Sequence, residues 1–356
     1  SFCRDIIEVN KSKGGTTMIW ERFKNIRQNE ISELMTMRLD GFKQKILIEG
    51  RFRNNPILIF LHGGPGSPAP FSAGCRGMFP ELTEKFLMVY WDQLGCGVND
   101  RQISEDFTIN HFVKMTEDLI KQLKQMFPKN DLYLFGYSWG TILSTLVTKR
   151  VPHLINGVMA LGQIVRDLGF NEFVYYALEH AKMPKFRQKI LAKIKHKKKH
   201  SVYDLRRIEY WIKRYTNGYQ PKGAEKYPLF SIIAIMLSSP DYRLKDLIAV
   251  LLNGTRKNQS LDKEMMQVDL TNDLQNIEVP YIMIQGQDDL LTPTQMARQT
   301  YERTYNPNLQ YALVNNCGHL PGKQALREVL SIGYQFFMYL AKQKQKQQPT
   351  DLLNKK

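Results

Sequence analysis

The chain has 356 residues, 43% hydrophobic and 24% charged, a mix that buries a sizeable core and excludes a disordered or low-complexity protein. Fifty lysines and arginines against 34 acids give a net charge of +16, which puts a polyanion or a membrane surface among the partners to weigh. The four cysteines, Cys3, Cys75, Cys96 and Cys317, form no C-x-x-C pair, so neither a disulfide framework nor a metal cage is expected, and a reducing, cytoplasmic compartment suits them.

Residues 1–30 read as a lead-in, flexible over the first ~17 residues, without the basic and apolar regions of a secretory leader. Ile31–Leu39 and residues 45–48 read as strands around Asp40-Gly41, a dipeptide favoured in tight hairpin turns. Residues 56–61 (Pro-Ile-Leu-Ile-Phe-Leu) form a continuous apolar run ending in a glycine-rich loop, as a strand buried on both faces does. Runs 86–90, 132–135 and 281–285 share that character. Between them, 112–126 and 141–150 have helical spacing and end ahead of Pro128 and Pro152. Strands alternating with helices of this length predict an α/β fold, a parallel sheet covered on both faces.

The rhythm stops from 164 to 261, where the chain reads as helices rich in aromatic and basic residues. Its longest apolar run, 230–237, falls far short of the ~20 residues that span a bilayer. The rhythm resumes near Val279, passes through a strand at 311–314 and closes on a helix at 323–341, ahead of a polar tail, 342–356. One core, 31–163 and 262–341, interrupted by a helical insertion accounts for this order better than two serial domains. Residues 182–214 hold nine lysines and four arginines against Asp204 and Glu209, a net +11, and the tail adds +4. The KHKKKH run at 195–200 fits nucleic acid or an anionic membrane by composition alone. No nucleic-acid module accompanies it, and a solvated face is the favoured reading.

Gly136-Tyr137-Ser138-Trp139-Gly140 is a G-x-S-x-G pentapeptide standing between a strand and a helix, which predicts a sharp turn that lifts the Ser138 hydroxyl above the sheet edge. A serine nucleophile needs a base and a group that orients it, and in this topology both follow later strands. Asp288 and Asp289 follow the strand at 281–285; His319 follows the strand at 311–314 and alone among seven histidines has this placement downstream of Ser138. Asp289 is preferred over Asp288, because G-x-x-D-x-x-T-P (286–293) sets it just ahead of the helix that Pro293 opens. An oxyanion hole would draw one N–H from Trp139 and the other from His62-Gly63-Gly64-Pro65-Gly66, with Gly64 the first choice and Gly63 the second.

HGGPG at 62–66, WDQLGCG at 91–97, GYSWG at 136–140, GQDDLLTP at 286–293 and CGHLP at 317–321 together resemble the α/β-hydrolase superfamily, and within it the prolyl iminopeptidase-like serine peptidases. The resemblance covers 31–163 and 262–341. It implies an eight-stranded sheet with a helical cap, 164–261, inserted after the sixth strand, and the triad Ser138, Asp289 and His319. The chain departs from the family's pattern at Leu94, where an arginine is usual, at Tyr137, where a second glycine is usual, and at Leu161-Gly162-Gln163, where iminopeptidases tend to read L-R-G. Family iminopeptidases use cap acids to hold the substrate's free amino group; Glu172, Glu179 and Glu209 are candidates by chemistry, without a collinear match.

The expectation is a serine hydrolase needing no metal or cofactor and acting through an acyl-enzyme, with a small peptide as the iminopeptidase-like substrate. An esterase, lipase or lactonase on a small acyl compound is the alternative, which the basic cap suits. A non-catalytic binding protein using that cap is a third reading, against which the assembled site counts.

Overall fold

In a computed structural model of the chain, which describes residues 15–68, 71–225, 229–250 and 259–347, eight strands form one sheet. They are β1 (Ile31–Leu39), β2 (Phe42–Gly50), β3 (Ile57–Leu61), β4 (Leu87–Tyr90), β5 (Leu132–Tyr137), β6 (Gly157–Leu161), β7 (Tyr281–Gly286) and β8 (Leu309–Val314). Asp40 and Gly41, both at positive φ (46° and 80°), make the tight turn between β1 and β2. The order across the sheet is β1-β2-β4-β3-β5-β6-β7-β8, with β2 antiparallel to both neighbours and every other pair parallel. The chain winds one way from β3 to β4 and the other way from β5 onward. The carboxyl ends of β3 and β5 therefore open a crevice at the point where the order reverses.

Strand residues alternate between two apolar layers. Ile57, Ile59, Leu61, Leu132 and Leu134 pack in one cluster with Phe112, Leu119, Ile142 and Leu143 of the helices Ile109–Met126 and Trp139–Thr148. Leu58, Phe60, Tyr133 and Phe135 pack in the other with Phe336 and Phe337 of the helix Lys323–Gln347. Burial on both faces explains the unbroken apolar runs, each large side chain contributing roughly 1.5–3 kcal/mol.

Between β6 and β7 the described residues are helical, beginning with Glu172–Glu179, Lys185–Lys195 and Val202–Tyr215. These three close over their own small core of Val174, Leu178, Leu191, Ile194, Ile208 and Trp211. Leu261 and Met265, by contrast, belong to the core of the sheet.

Two expectations about the ends are corrected. The lead-in contains the helix Gly15–Gln28, held by the buried Arg22 and by Asn25, which donates to the Gly77 carbonyl at 2.9 Å. The closing helix runs to Gln347, past residue 341, with Lys344 paired to Asp131. Polar composition misled at the tail because the long side chain of Lys344 anchors the helix end on the core. Residues 1–14, including Cys3, and 348–356 lie outside the described residues. Among the described residues no helix is long and apolar enough to cross a membrane.

Candidate active site

Ser138 sits between the end of β5 and the helix Trp139–Thr148 with φ 52° and ψ −116°. A non-glycine residue held there stores roughly 1–3 kcal/mol of strain, and the surroundings enforce it. Ser138 N–H donates to the Leu161 carbonyl at 2.9 Å, and its own carbonyl accepts from Thr141 N–H at 2.8 Å. The helix also passes so close to β3 that a Cβ on Gly140 would stand 1.8 Å from the Leu61 carbonyl oxygen, which only glycine permits.

The three residues singled out in the sequence come together. Ser138 Oγ lies 2.9 Å from His319 Nε2, and His319 Nδ1 lies 2.9 Å from Asp289 Oδ2. Asp289 is 1% exposed, and its carboxylate is saturated: Oδ1 accepts the N–H groups of Leu291 and Thr292, and Oδ2 accepts the Thr292 hydroxyl at 2.7 Å. That cradle fixes the carboxylate so that His319 carries its proton on Nδ1 and offers the Nε2 lone pair to Ser138. Asp288 does not take part. Its backbone N–H donates to the Cys317 carbonyl at 2.9 Å, and partial burial raises the pKa of its side chain.

The cap contributes a clamp that the sequence did not announce. The Gly218 carbonyl accepts both Leu290 N–H at 3.2 Å and His319 N–H at 3.1 Å, so one cap oxygen joins the loop of the acid to the loop of the base. Leu320 N–H donates to the Tyr219 carbonyl at 2.7 Å. Tyr137 stacks on the His319 ring at 5.5 Å and donates its hydroxyl to the His319 carbonyl at 3.0 Å. Gly162 lies beneath the imidazole at φ +64°, and a Cβ there would meet His319 Cε1 and Thr292 Oγ1, each at 3.2 Å. Two departures from the family's pattern, Tyr137 and Gly162, thus both touch the histidine. The third, Leu94, is simply buried in the core.

The HGGPG loop abuts the nucleophile, since the Cβ site of Gly63 lies 3.5 Å from Ser138 Cβ. Gly64 holds φ +121°, and a Cβ on it would strike the Gly66 nitrogen at 2.5 Å. The first N–H groups of the helix behind Ser138 have no partner within that helix and carry its positive dipole end. The HGGPG loop and the start of this helix therefore lie on either side of Ser138.

His62 is fully buried and takes no part in proton transfer. Its Nδ1–H donates to the Gly63 carbonyl at 2.8 Å, and its Nε2 accepts Gln93 N–H at 3.0 Å. Burial, opposed only weakly by the Gly63 contact, holds its pKa down to about 4. Gln93 in turn accepts the Trp139 indole N–H at 2.8 Å. Its neighbour Asp92 accepts the Tyr242 hydroxyl at 2.5 Å, joining core to cap.

The cap acids separate. Glu172 and Glu179 line an open cavity of about 490 Å³ with Lys195, Leu290 and Gln295, and Glu179 is paired with Lys195 at 2.6 Å. Glu209 instead lies close enough to His319 to interact with it electrostatically. Burial raises its pKa against the opposing pull of Lys213, and among the described residues its carboxylate makes no hydrogen bond or ion pair. Half of the basic run at 195–200 is committed to the cap itself: Lys195 holds Glu179, Lys197 holds Asp204 at 2.8 Å, and His200 stacks on Phe170 at 4.0 Å, while Lys198 and Lys199 are exposed. Among the described residues no group of three or more His, Cys, Asp or Glu side chains could hold a metal ion.

A family model described as alpha/beta hydrolase fold matches residues 56–324. A probable aminopeptidase, YbaC, of Bacillus subtilis (strain 168) is 27% identical over 306 residues, covering 83% of this chain and 92% of that protein. A proline iminopeptidase of Lactobacillus delbrueckii subsp. lactis is 25% identical over 283 residues, covering 77% of this chain and 87% of that protein. Among solved structures, the carboxylesterase CesB (YbfK) from Bacillus subtilis shares the fold with a TM-score of 0.52 at 18% identity, covering 92% of this chain and 98% of that one.

Proposed function

The chain belongs to the alpha/beta hydrolase family, whose enzymes act as peptidases or esterases, and we propose that it is a serine aminopeptidase of the proline iminopeptidase kind. Its substrate is a small peptide with a free N-terminal residue. Two observations support this together: relatives bearing aminopeptidase and iminopeptidase names align along most of the chain, and Glu209 is a partly buried carboxylate within electrostatic range of His319, without a hydrogen bond or ion pair among the described residues. The second carries the reading. Burial disfavours its charged form even with Lys213 and Arg206 in range, and a substrate ammonium in direct contact would favour it.

In the proposed mechanism His319 Nε2 takes the Ser138 proton as Oγ attacks the carbonyl carbon of the N-terminal residue. Trp139 N–H and Gly64 N–H hold the oxyanion, a contribution worth about 3–4 kcal/mol of barrier for each well-placed donor. The imidazolium, stabilised by Asp289, gives its proton to the leaving peptide nitrogen, and the C–N bond breaks to leave an acyl-enzyme. A water, deprotonated by His319, attacks the ester, and Ser138 recovers its proton as the amino acid departs.

Rates on amino-acid arylamides, their N-acetylated forms and acyl esters test this side by side. Acetylation should cut the rate at least a hundredfold, and Glu209→Gln should raise KM for free-amine arylamides while leaving ester turnover within about threefold, as expected when one partner of a buried charge pair is lost. If esters lacking an amine turn over faster than every free-amine arylamide, the carboxylesterase reading replaces the peptidase one and the Ser138 mechanism stands.

A further inference from the structure

Two polar side chains of the helix Gly15–Gln28 face the protein, with Ile26 packed beside them: Arg22, 1% exposed, donates to the Gly74 carbonyl at 3.3 Å, and Asn25 donates to Gly77. The contact is close, for a Cβ on Gly77 would stand 2.6 Å from the Arg22 carbonyl oxygen. Its outer stripe, at positions 20, 23, 24 and 27, consists of Trp20, Phe23, Lys24 and Arg27, with Trp20 68% and Phe23 42% exposed. Ile19, Trp20, Phe23, Ile26 and Arg27 line a shallow cavity of about 320 Å³ on this face. At the end of the helix Arg51 donates to the Gln28 carbonyl at 2.9 Å, and the next residue, Phe52, is exposed.

We infer that this outer face is a docking surface for an anionic lipid bilayer, with Trp20 and Phe23 entering the interfacial layer and Lys24 and Arg27 meeting the headgroup phosphates. A helix folded for water alone would turn these aromatics inward. Tryptophan and phenylalanine beside lysine and arginine form the surface that an interfacial helix presents to lipid. The helix is docked on the protein by its polar side and does not cross the bilayer; it lies on it. Charge complementarity selects the occupant: Lys24 and Arg27 make the patch basic, so the same patch on a second copy is repelled and an anionic surface is attracted. The inference is independent of the substrate reading.

The chain contains its own reporter. Trp91, Trp139 and Trp211 are already buried, so a blue shift of tryptophan emission on adding vesicles reports Trp20. The full chain is titrated with vesicles of phosphatidylglycerol and phosphatidylcholine, and with phosphatidylcholine alone, by emission and cosedimentation. Expected are binding and a blue shift with the anionic vesicles only. Trp20→Phe should lose the shift and keep the binding. Trp20→Glu with Phe23→Glu should weaken binding at least tenfold, while fluorophosphonate labelling of Ser138 persists as the check that the variant is folded. Three results overturn the inference: no binding to anionic vesicles; binding that is indifferent to the double substitution, which would assign it to the cap lysines; or a concentration-dependent blue shift without lipid, which would make the face a contact between copies.

Discussion

The indole N–H of Trp139 donates to the side-chain carbonyl of Gln93 at 2.8 Å, and the Gln93 backbone N–H donates to His62 Nε2 at 3.0 Å. Three residues distant in sequence thereby join the two elements that flank Ser138, the helix behind it and the HGGPG loop. A donor pair aimed at a developing oxyanion works only if it is held in place beforehand. Gln93 positions both, the helix through its side-chain carbonyl and the loop through its backbone N–H, and Gln93→Ala removes the first of these contacts. Gln93→Ala should lower kcat about ten- to a hundredfold with KM within about twofold, since the ground state does not use the oxyanion geometry. A change in KM alone would assign Gln93 to substrate binding.

Gly162 supports the base from below. Gly162→Ala places a methyl group 3.2 Å from His319 Cε1 and Thr292 Oγ1, at a φ of +64° that alanine tolerates poorly. Stability should fall by about 1–2 kcal/mol and kcat at least tenfold, because a displaced imidazole loses its alignment with Ser138. Thermal melts and steady-state kinetics on the same preparation separate the two effects.

Asp289 and Asp288 are adjacent in sequence, and only Asp289 faces the imidazole. Asp289→Asn should reduce kcat about ten-thousandfold by favouring the wrong histidine tautomer. Asp288→Asn should leave it within about threefold, as expected for a side chain off the reacting groups. The reverse ranking would reassign the acid.

His62 couples the loop to pH. Its pKa in the folded chain, about 4, lies below the usual 6.5, so between those values the unfolded chain binds more protons and stability falls as pH is lowered. The gap amounts to about 3 kcal/mol, fully present above pH 6.5 and lost on approach to pH 4. Denaturant unfolding across this window should show that slope in the wild type and not in His62→Gln. Equal slopes would mean that His62 does not titrate as its burial requires.

Much of this was legible from residues alone, for reasons that can be named. Ser138 and Asp289 follow β5 and β7, strands buried along their length whose runs mark the carboxyl edge of a doubly covered sheet, while His319 follows the half-exposed edge strand β8 and was legible from its place downstream of them. β6 was harder to read from pattern, since Gly157 and Ala160 interrupt its apolar run with small residues of low strand preference. The helix Gly15–Gln28 escaped because its apolar stripe faces outward and its anchor is the buried Arg22, the opposite of the pattern that marks a packed helix. The roles of Gln93, Gly218 and Glu209 rest on contacts between distant segments, which no local spacing encodes.

Every step of the proposed chemistry passes through the Ser138 hydroxyl at its strained turn, 2.9 Å from His319 Nε2. The most direct test is to treat the folded protein with a fluorophosphonate and locate the adduct by peptide mass spectrometry. One adduct is expected, on Ser138, lost in Ser138→Ala and strongly slowed in His319→Ala. An adduct on another residue, or none on folded and active protein, contradicts it.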